Sequence, residues 1–375
     1  MGCWLSTLAT ELFSPIVDES GLRSEFPVLA ELAYLNAGTD GPLPRRAVEA
    51  ARKELDRALA EGRAMAHFER RGELGRALRG AYARALGADP ADVALTTSTT
   101  EGMGQVVMGM DLREGDEILT SDEEHPGLQG ALGAARDILG ATIREVPFAR
   151  IAEEIGPATR LVACSHVSWA TGALAPPELA AVDVPVLFDG AQGLGAVEVD
   201  VTALGCDAYA GAGQKWLCGP DGSGALWVAP AFRSELSVSR RGYGNLAEAN
   251  AGLDAVVHED ARRFDAPSLS AEALACSLAA AEVLEDFGWP AVWERARTLA
   301  ARLAEMLAER GREPLPRGES TLVSFPSPAP EAERTELAEQ GVVIRNIPGR
   351  ECLRASVGAW NDEGDLERLL GALRP

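Results

Sequence analysis

Asp189 and Lys215 are the residues in this chain whose types and settings most directly permit chemistry. Asp189 ends the apolar run Val186-Leu187-Phe188 and is followed by Gly190-Ala191-Gln192. Lys215 lies in Gln214-Lys215-Trp216-Leu217-Cys218-Gly219-Pro220, with Gly211 and Gly213 just ahead. A carboxylate at the end of a buried strand is an acid held on a rigid element, and an amine on a glycine-flanked loop is free to react. Of the 35 basic residues, only Lys53 and Lys215 are lysines. A lysine kept against that bias points to work a guanidinium cannot do, Schiff-base formation above all. The Asp–Lys pairing suits pyridoxal phosphate, whose aldehyde needs a lysine and whose pyridine nitrogen needs a carboxylate to keep it protonated. The plainer alternative is an ordinary strand-end Asp and a surface Lys.

Four further runs carry candidate groups. Thr97-Ser98-Thr99-Thr100-Glu101-Gly102 stands at a strand-to-helix junction, where free N–H groups and hydroxyls can cradle a phosphate or simply cap the helix. His125, in Ser121-Asp122-Glu123-Glu124-His125-Pro126-Gly127, can stack on a flat ring or be a solvated turn residue. Cys164-Ser165-His166-Val167-Ser168-Trp169-Ala170-Thr171-Gly172 feeds the same edge, with His166 either functional or a satisfied structural histidine. Arg354, in Cys352-Leu353-Arg354-Ala355-Ser356, is an arginine inside an apolar strand. An unpaired buried charge is costly, so it either answers a substrate carboxylate or forms a buried ion pair.

The chain has 375 residues and a formal net charge of −22. That acidity argues against coating a nucleic acid and against docking on anionic lipid. No apolar run is long enough to cross a membrane, and the N-terminal residues do not read as a secretory signal, so a cytoplasmic location is expected. Gly2 and Ser6 formally match a myristoylation pattern. The six cysteines and four histidines show no metal-site spacing, so no metal is expected and the thiols are expected reduced.

Elements that must position these groups follow from the patterning. Residues 45–61 repeat apolar Val48, Leu55 and Leu59 at helical spacing, and residues 73–86 continue that style. Strands at 92–96, 117–120, 142–147, 160–165, 184–188 and 224–228 then alternate with helices, which implies an α/β fold with a mostly parallel sheet. Ligands of such sheets bind outside the carboxyl ends of the strands. After about residue 270 come two helices broken at Gly288-Trp289-Pro290, strands at 321–325, 342–345 and 352–356, and a last helix over 362–373, a smaller α+β unit. The expected division is an N-terminal segment (1–30) packing with the small domain, a large α/β domain (31–265) and a small C-terminal domain (266–375).

The run of DGAQ, the Lys-Trp-Leu-Cys-Gly-Pro loop, TTEG, EHPG, SHVSWATG and LRASVGAWND, in that family's order, resembles the class V aminotransferases, fold-type I pyridoxal-phosphate enzymes that include the cysteine desulfurases. The resemblance implies a large domain with a seven-stranded, mainly parallel sheet flanked by helices, a small α+β domain and a homodimer with shared active sites. It implies that Lys215 is the Schiff-base lysine, Asp189 the partner of the pyridine nitrogen, Gln192 a contact to the ring hydroxyl and His125 the ring-stacking residue. Thr99, Thr100 and Gln214 would bind the cofactor, and Ser268 would reach the neighbouring subunit's phosphate site. Arg354 would bind the substrate carboxylate, with Asn36, His166 and Trp169 beside the substrate. Arg240, Arg241, Tyr243 and the Asn36-Ala37-Gly38-Thr39 loop are candidates for the pocket mouth, where an extra arginine would read a second carboxylate. Two departures stand out. The run before the lysine is Ala212-Gly213-Gln214, without the hydroxyl and histidine usual in the family, and no long loop carries a nucleophilic cysteine ahead of Arg354, Cys352 lying in the strand itself. The pattern is therefore most similar to the cystine/cysteine C–S lyases, implying β-elimination from an amino acid to pyruvate, ammonia and a sulfur product. Transamination, isopenicillin-N-epimerase-like epimerisation, sulfoxide cleavage and a non-catalytic scaffold are the alternatives.

Overall fold

The computed structural model describes residues 19–374. The Gly2–Ser6 pattern, Cys3 and the first eighteen residues of the N-terminal segment lie outside the described residues. The described chain opens with α1 (Glu19–Ser24), the short strand β1 (Ala33–Tyr34), and the long helices α2 (Arg45–Glu61) and α3 (Met65–Leu86). There follow β2 (Val93–Thr96), α4 (Thr99–Gly109), β3 (Glu117–Ser121), α5 (Pro126–Ala134), β4 (Thr142–Val146), β5 (Thr159–Ser165), β6 (Val186–Asp189), β7 (Ala208–Ala212) and β8 (Gly224–Val228). After α6 (Pro230–Glu235), the helices α7 (Ala271–Phe287) and α8 (Trp289–Glu309) lead to β9 (Leu322–Pro326), α9 (Pro330–Glu339), β10 (Val342–Val343), β11 (Arg345–Asn346), β12 (Cys352–Ser356) and α10 (Glu363–Ala372).

Seven strands form one sheet in the order β2-β8-β7-β6-β5-β3-β4. Every neighbouring pair is parallel except those of β8, which runs against both β2 and β7. The strands beneath the site are buried on both faces, and separate apolar clusters fill the two sides. That is the burial expected of a parallel sheet covered by helices. Six of the seven strands were legible as apolar runs. The seventh, β7, reads Ala-Tyr-Ala-Gly-Ala and lacks the β-branched residues that mark a strand. Its pairing with β6 and β8 supplies the order its sequence does not announce.

Two other expectations changed. In α2 the Val48–Leu55–Leu59 stripe does not face the core, since Leu55 and Leu59 are exposed while Ala47 and Glu54 are buried. Small side chains decide the packing there: Ala47 meets Cys276 and Ala280 of α7. Buried Glu54 is paired with Arg70 at 3.0 Å. The expected strand at 342–345 is two short ones, β10 pairing with β1 and β11 with β12. That switch carries Arg345 onto the hairpin beside Arg354. The last strands, β11-β12-β9, form a sheet with its own apolar cluster. Arg23 in α1 clamps to α10, donating to both oxygens of Asp365 at 2.8 and 3.1 Å.

Candidate active site

The carboxyl ends of β2, β3, β5, β6 and β7 open onto one cavity of about 220 Å³, bordered by Ser98, Thr99, Thr100, His125, Trp169, Asp189, Gln192, Gln214 and Lys215. Parallel strands bring together residues more than a hundred positions apart because their ends lie on one edge. At the β2 end, Ser98 caps α4, its hydroxyl accepting from the Glu101 N–H at 3.1 Å. This places Thr99 and Thr100 in the first turn, where the helix dipole favours an anion. The buried Thr99 Oγ1 and Gln214 Oε1 have no hydrogen-bond partner among the described residues.

Lys215 follows the end of β7 on a tight loop. The Gly41 N–H donates to the Gln214 carbonyl at 2.8 Å, and Cys218 closes the turn in the left-handed region at φ 54°. A Cβ at Gly41 would stand 2.0 Å from the Lys215 carbonyl oxygen, so only glycine permits this approach. Burial pulls the Lys215 amine down to about 8 against the pull of Asp189, with Arg354 adding to the depression. Asp189 is itself buried, and burial pushes its carboxyl up while Lys215 and the Ala191 N–H, at 2.9 Å, hold it back. At the β3 end, His125 caps α5 through Nδ1, which accepts from the Gly127 N–H at 3.0 Å. That bond and burial, which with Lys215 and Arg345 lowers the ring to about 4, keep the imidazole neutral. The Trp169 ring meets His125 edge-on at 5.0 Å.

The C-terminal hairpin supplies the guanidinium groups. Arg354 is completely buried, and its Nη1 donates to the Trp169 carbonyl at 2.5 Å. Among the described residues its Nε and Nη2 have no partner and no carboxylate pairs with it, so no buried ion pair is formed there. Burial, followed by Arg345, pulls Arg354 down to about 9. Arg345 stands opposite Arg354 in the β11–β12 register, borders the cavity, donates to Thr39 Oγ1 at 3.4 Å and lies 5.9 Å above the Trp169 ring. Gly38 passes over this group: a Cβ there would come within 2.7 Å of Ser356 Oγ and 2.9 Å of both Arg354 Nη2 and Gln192 Oε1. Gln192 is locked beneath it, donating to the Gly38 carbonyl at 2.8 Å and accepting from Trp216 Nε1 at 3.0 Å.

Several candidates lie elsewhere. His166 is buried against Phe188 and Tyr209, its Nδ1 3.0 Å from the Tyr209 hydroxyl, and it borders a different cavity, which is the structural alternative. Asn36 does not line the site; it holds the loop above it, accepting from Thr39 Oγ1 at 2.8 Å. Ser268 is exposed beside Arg71 on another surface cavity, which Tyr243 also lines. Arg240 is paired with Glu101 at 2.6 Å. Cys352 is buried against Ala170 and Ile347 and does not border the cavity. The reasoning from sequence missed Arg345. Counting residues back from Arg354 across the Pro348-Gly349 turn would have placed it opposite.

The pocket suits pyridoxal phosphate on its own evidence: a buried carboxyl in Asp189, an amine in Lys215 and, for an anion, a helix N-terminus with the unpartnered Thr99 hydroxyl in its first turn. Comparison with known proteins agrees. The family model described as aminotransferase class-V matches residues 33–369, and the chain belongs to that family. It is a pyridoxal-phosphate-dependent enzyme of fold type I. It is 29% identical to an isopenicillin N epimerase of Streptomyces clavuligerus, over 96% of this chain and 98% of that protein. It is 32% identical to a probable cysteine desulfurase of Pseudomonas aeruginosa, over 94% and 96% respectively. A solved structure of the cystine C–S lyase C-DES with its product cysteine persulfide superposes with a TM-score of 0.87 at 30% identity, over 93% of this chain and all of that one.

Proposed function

We propose that the enzyme is a C–S β-lyase acting on a sulfur amino acid that carries a second acidic group at its far end, as cystine does. The observation that carries this is the pair of arginines, Arg354 and Arg345, facing each other across one hairpin: Arg345 borders the cavity with Lys215, and Arg354, buried and outside that lining, is close enough to depress the Lys215 amine. One guanidinium can fork onto the α-carboxylate, leaving a second to read a distal one. Cys352 packs against Ala170 and Ile347 with its thiol pushed up by burial, which supports direct elimination over transfer of sulfur to a protein thiol.

In this reading Asp189 would hold the pyridine nitrogen protonated, His125 would stack on the ring, Gln192 would meet the ring hydroxyl, and Thr99, Thr100 and Gln214 would hold the phosphate. When bound, pyridoxal phosphate supplies an electron sink for the Cα–H bonding pair. Lys215 would carry the cofactor at rest and, once freed by the substrate amine, would take the Cα proton as general base. An amine with a pKa of about 8 is partly unprotonated near neutrality and suited to that task. The Cβ–S bond then breaks, its electron pair leaving on sulfur, and the released enamine adds water to give pyruvate and ammonia.

Sustained pyruvate release from L-cystine without a keto acid, lost in Lys215→Ala, is the expected result. No pyruvate, but turnover dependent on a keto acid or inversion at Cα, would replace the lyase with a transaminase or an epimerase; the likeness to the isopenicillin N epimerase supports the latter as second reading. We further propose a homodimer, in which Ser268 serves the neighbouring subunit, and a cytoplasmic location. No helix among the described residues is long and apolar enough to cross a membrane.

A further inference from the structure

Behind the cavity lies a second buried carboxyl that the mechanism above does not use. Glu124 precedes His125 and is buried between the ends of β3 and β5. It accepts from the Ser121 hydroxyl, from the Ser165 N–H at 3.1 Å and from the Ser165 hydroxyl at 2.7 Å. Ser165 is the register partner of Asp189 across β5 and β6. Two buried carboxyls therefore back one edge of the site, and no arginine or lysine is paired with Glu124 among the described residues. The titratable groups facing it are Asp189 on β6 and the Cys164 thiol on β5, with His125 next in the chain.

We propose that Glu124 is a positioning residue for the cofactor: its negative charge, held by Ser121 and Ser165 behind Asp189, strengthens the hold of Asp189 on a protonated pyridine nitrogen. The inference rests on the assignment of Asp189 as that nitrogen's partner. A second anion near Asp189 makes a cation there more favourable, while three hydrogen bonds keep Glu124 from moving to meet the cation itself. Burial pushes the Glu124 carboxyl up to about 7, with the hydrogen bonds pulling it back and Asp189 adding to the rise. Its charge is thus present above neutrality and absent in mild acid. The sign follows: ionised Glu124 tightens cofactor binding as pH rises through about 7.

The test is the dissociation constant of pyridoxal 5'-phosphate for the full chain, followed by absorbance between pH 5.5 and 8.5, in the native protein and in Glu124→Gln. Glutamine keeps the hydrogen-bonding shape without the charge. The two proteins are expected to bind alike at the acid end. At the alkaline end the variant should bind roughly three- to tenfold more weakly, the size of an interaction of up to about one pKa unit. A weakening of equal size at every pH, or none at any pH, overturns the proposal. Ser165→Ala provides a second readout, because losing that hydrogen bond should move the inflection of the native curve to higher pH, and an unmoved inflection also counts against it. Asp189→Asn separates the two readings: if it leaves binding intact, the assignment of Asp189 has failed, whatever Glu124 does.

Discussion

Lys215, Asp189 and Arg354 have environments that ordinary surface residues do not have. The amine is depressed by burial, the carboxyl is pushed up by burial and held back by that amine, and the guanidinium is fully buried with two nitrogens unpaired among the described residues. Perturbed groups that converge on one cleft mark a functional site better than any of them alone. In the proposed reading Arg345 would decide between substrates, because it adds a positive charge that recognition of a single α-carboxylate does not need. Arg345→Ala is expected to raise KM for L-cystine about tenfold or more with a smaller change in kcat, since a hydrogen bond to a charged group contributes about 1.5–3 kcal/mol. Turnover of an amino acid lacking a distal carboxylate should be unchanged. Equal losses for both substrates, read from steady-state kinetics, would remove the second-carboxylate reading.

At the scale of elements, the site depends on how closely backbones approach. The contact of α2 with α7 is made by Ala47, Cys276 and Ala280, side chains small enough to let the helix axes come together. Ala47→Leu should overpack that contact and cost about 1–3 kcal/mol, measured by denaturant unfolding. Leu59→Ala, on the same helix but 87% exposed, should change stability by less than about 0.5 kcal/mol. The reverse order of effects would restore the Leu55–Leu59 stripe as the buried face. The hairpin of β11 and β12 shows the same dependence, because its register alone puts Arg345 opposite Arg354.

For the whole molecule, a chain with net charge −22 gathers arginines on one surface cavity, lined by Phe68, Arg71, Arg76, Arg79, Tyr243 and Ser268. Phe68 is 52% exposed and Tyr243 76%. A basic, apolar-rimmed recess on an acidic protein fits the acidic surface of a second copy, and it holds the one candidate cofactor residue that its own cavity does not reach. Sedimentation is expected to show the mass of two chains, falling to one in Phe68→Asp. A native protein with the mass of a single chain would end the shared-site proposal and leave Ser268 without a role.

The amino-acid sequence by itself determined the α/β alternation, six of the seven sheet strands, both long C-terminal helices, and the cofactor through Asp189, Lys215 and the motifs around them. These are properties of local pattern, in which apolar periodicity and residue type speak directly. Tertiary structure decided what depends on partners distant in the chain. It drew β7 into the sheet despite its alanines, turned the leucines of α2 outward, sent His166 to Tyr209 and away from the cavity, and set Arg345 across from Arg354. Each of these is a pairing, and a pairing is settled by which surfaces exclude water from one another, information that no single segment holds.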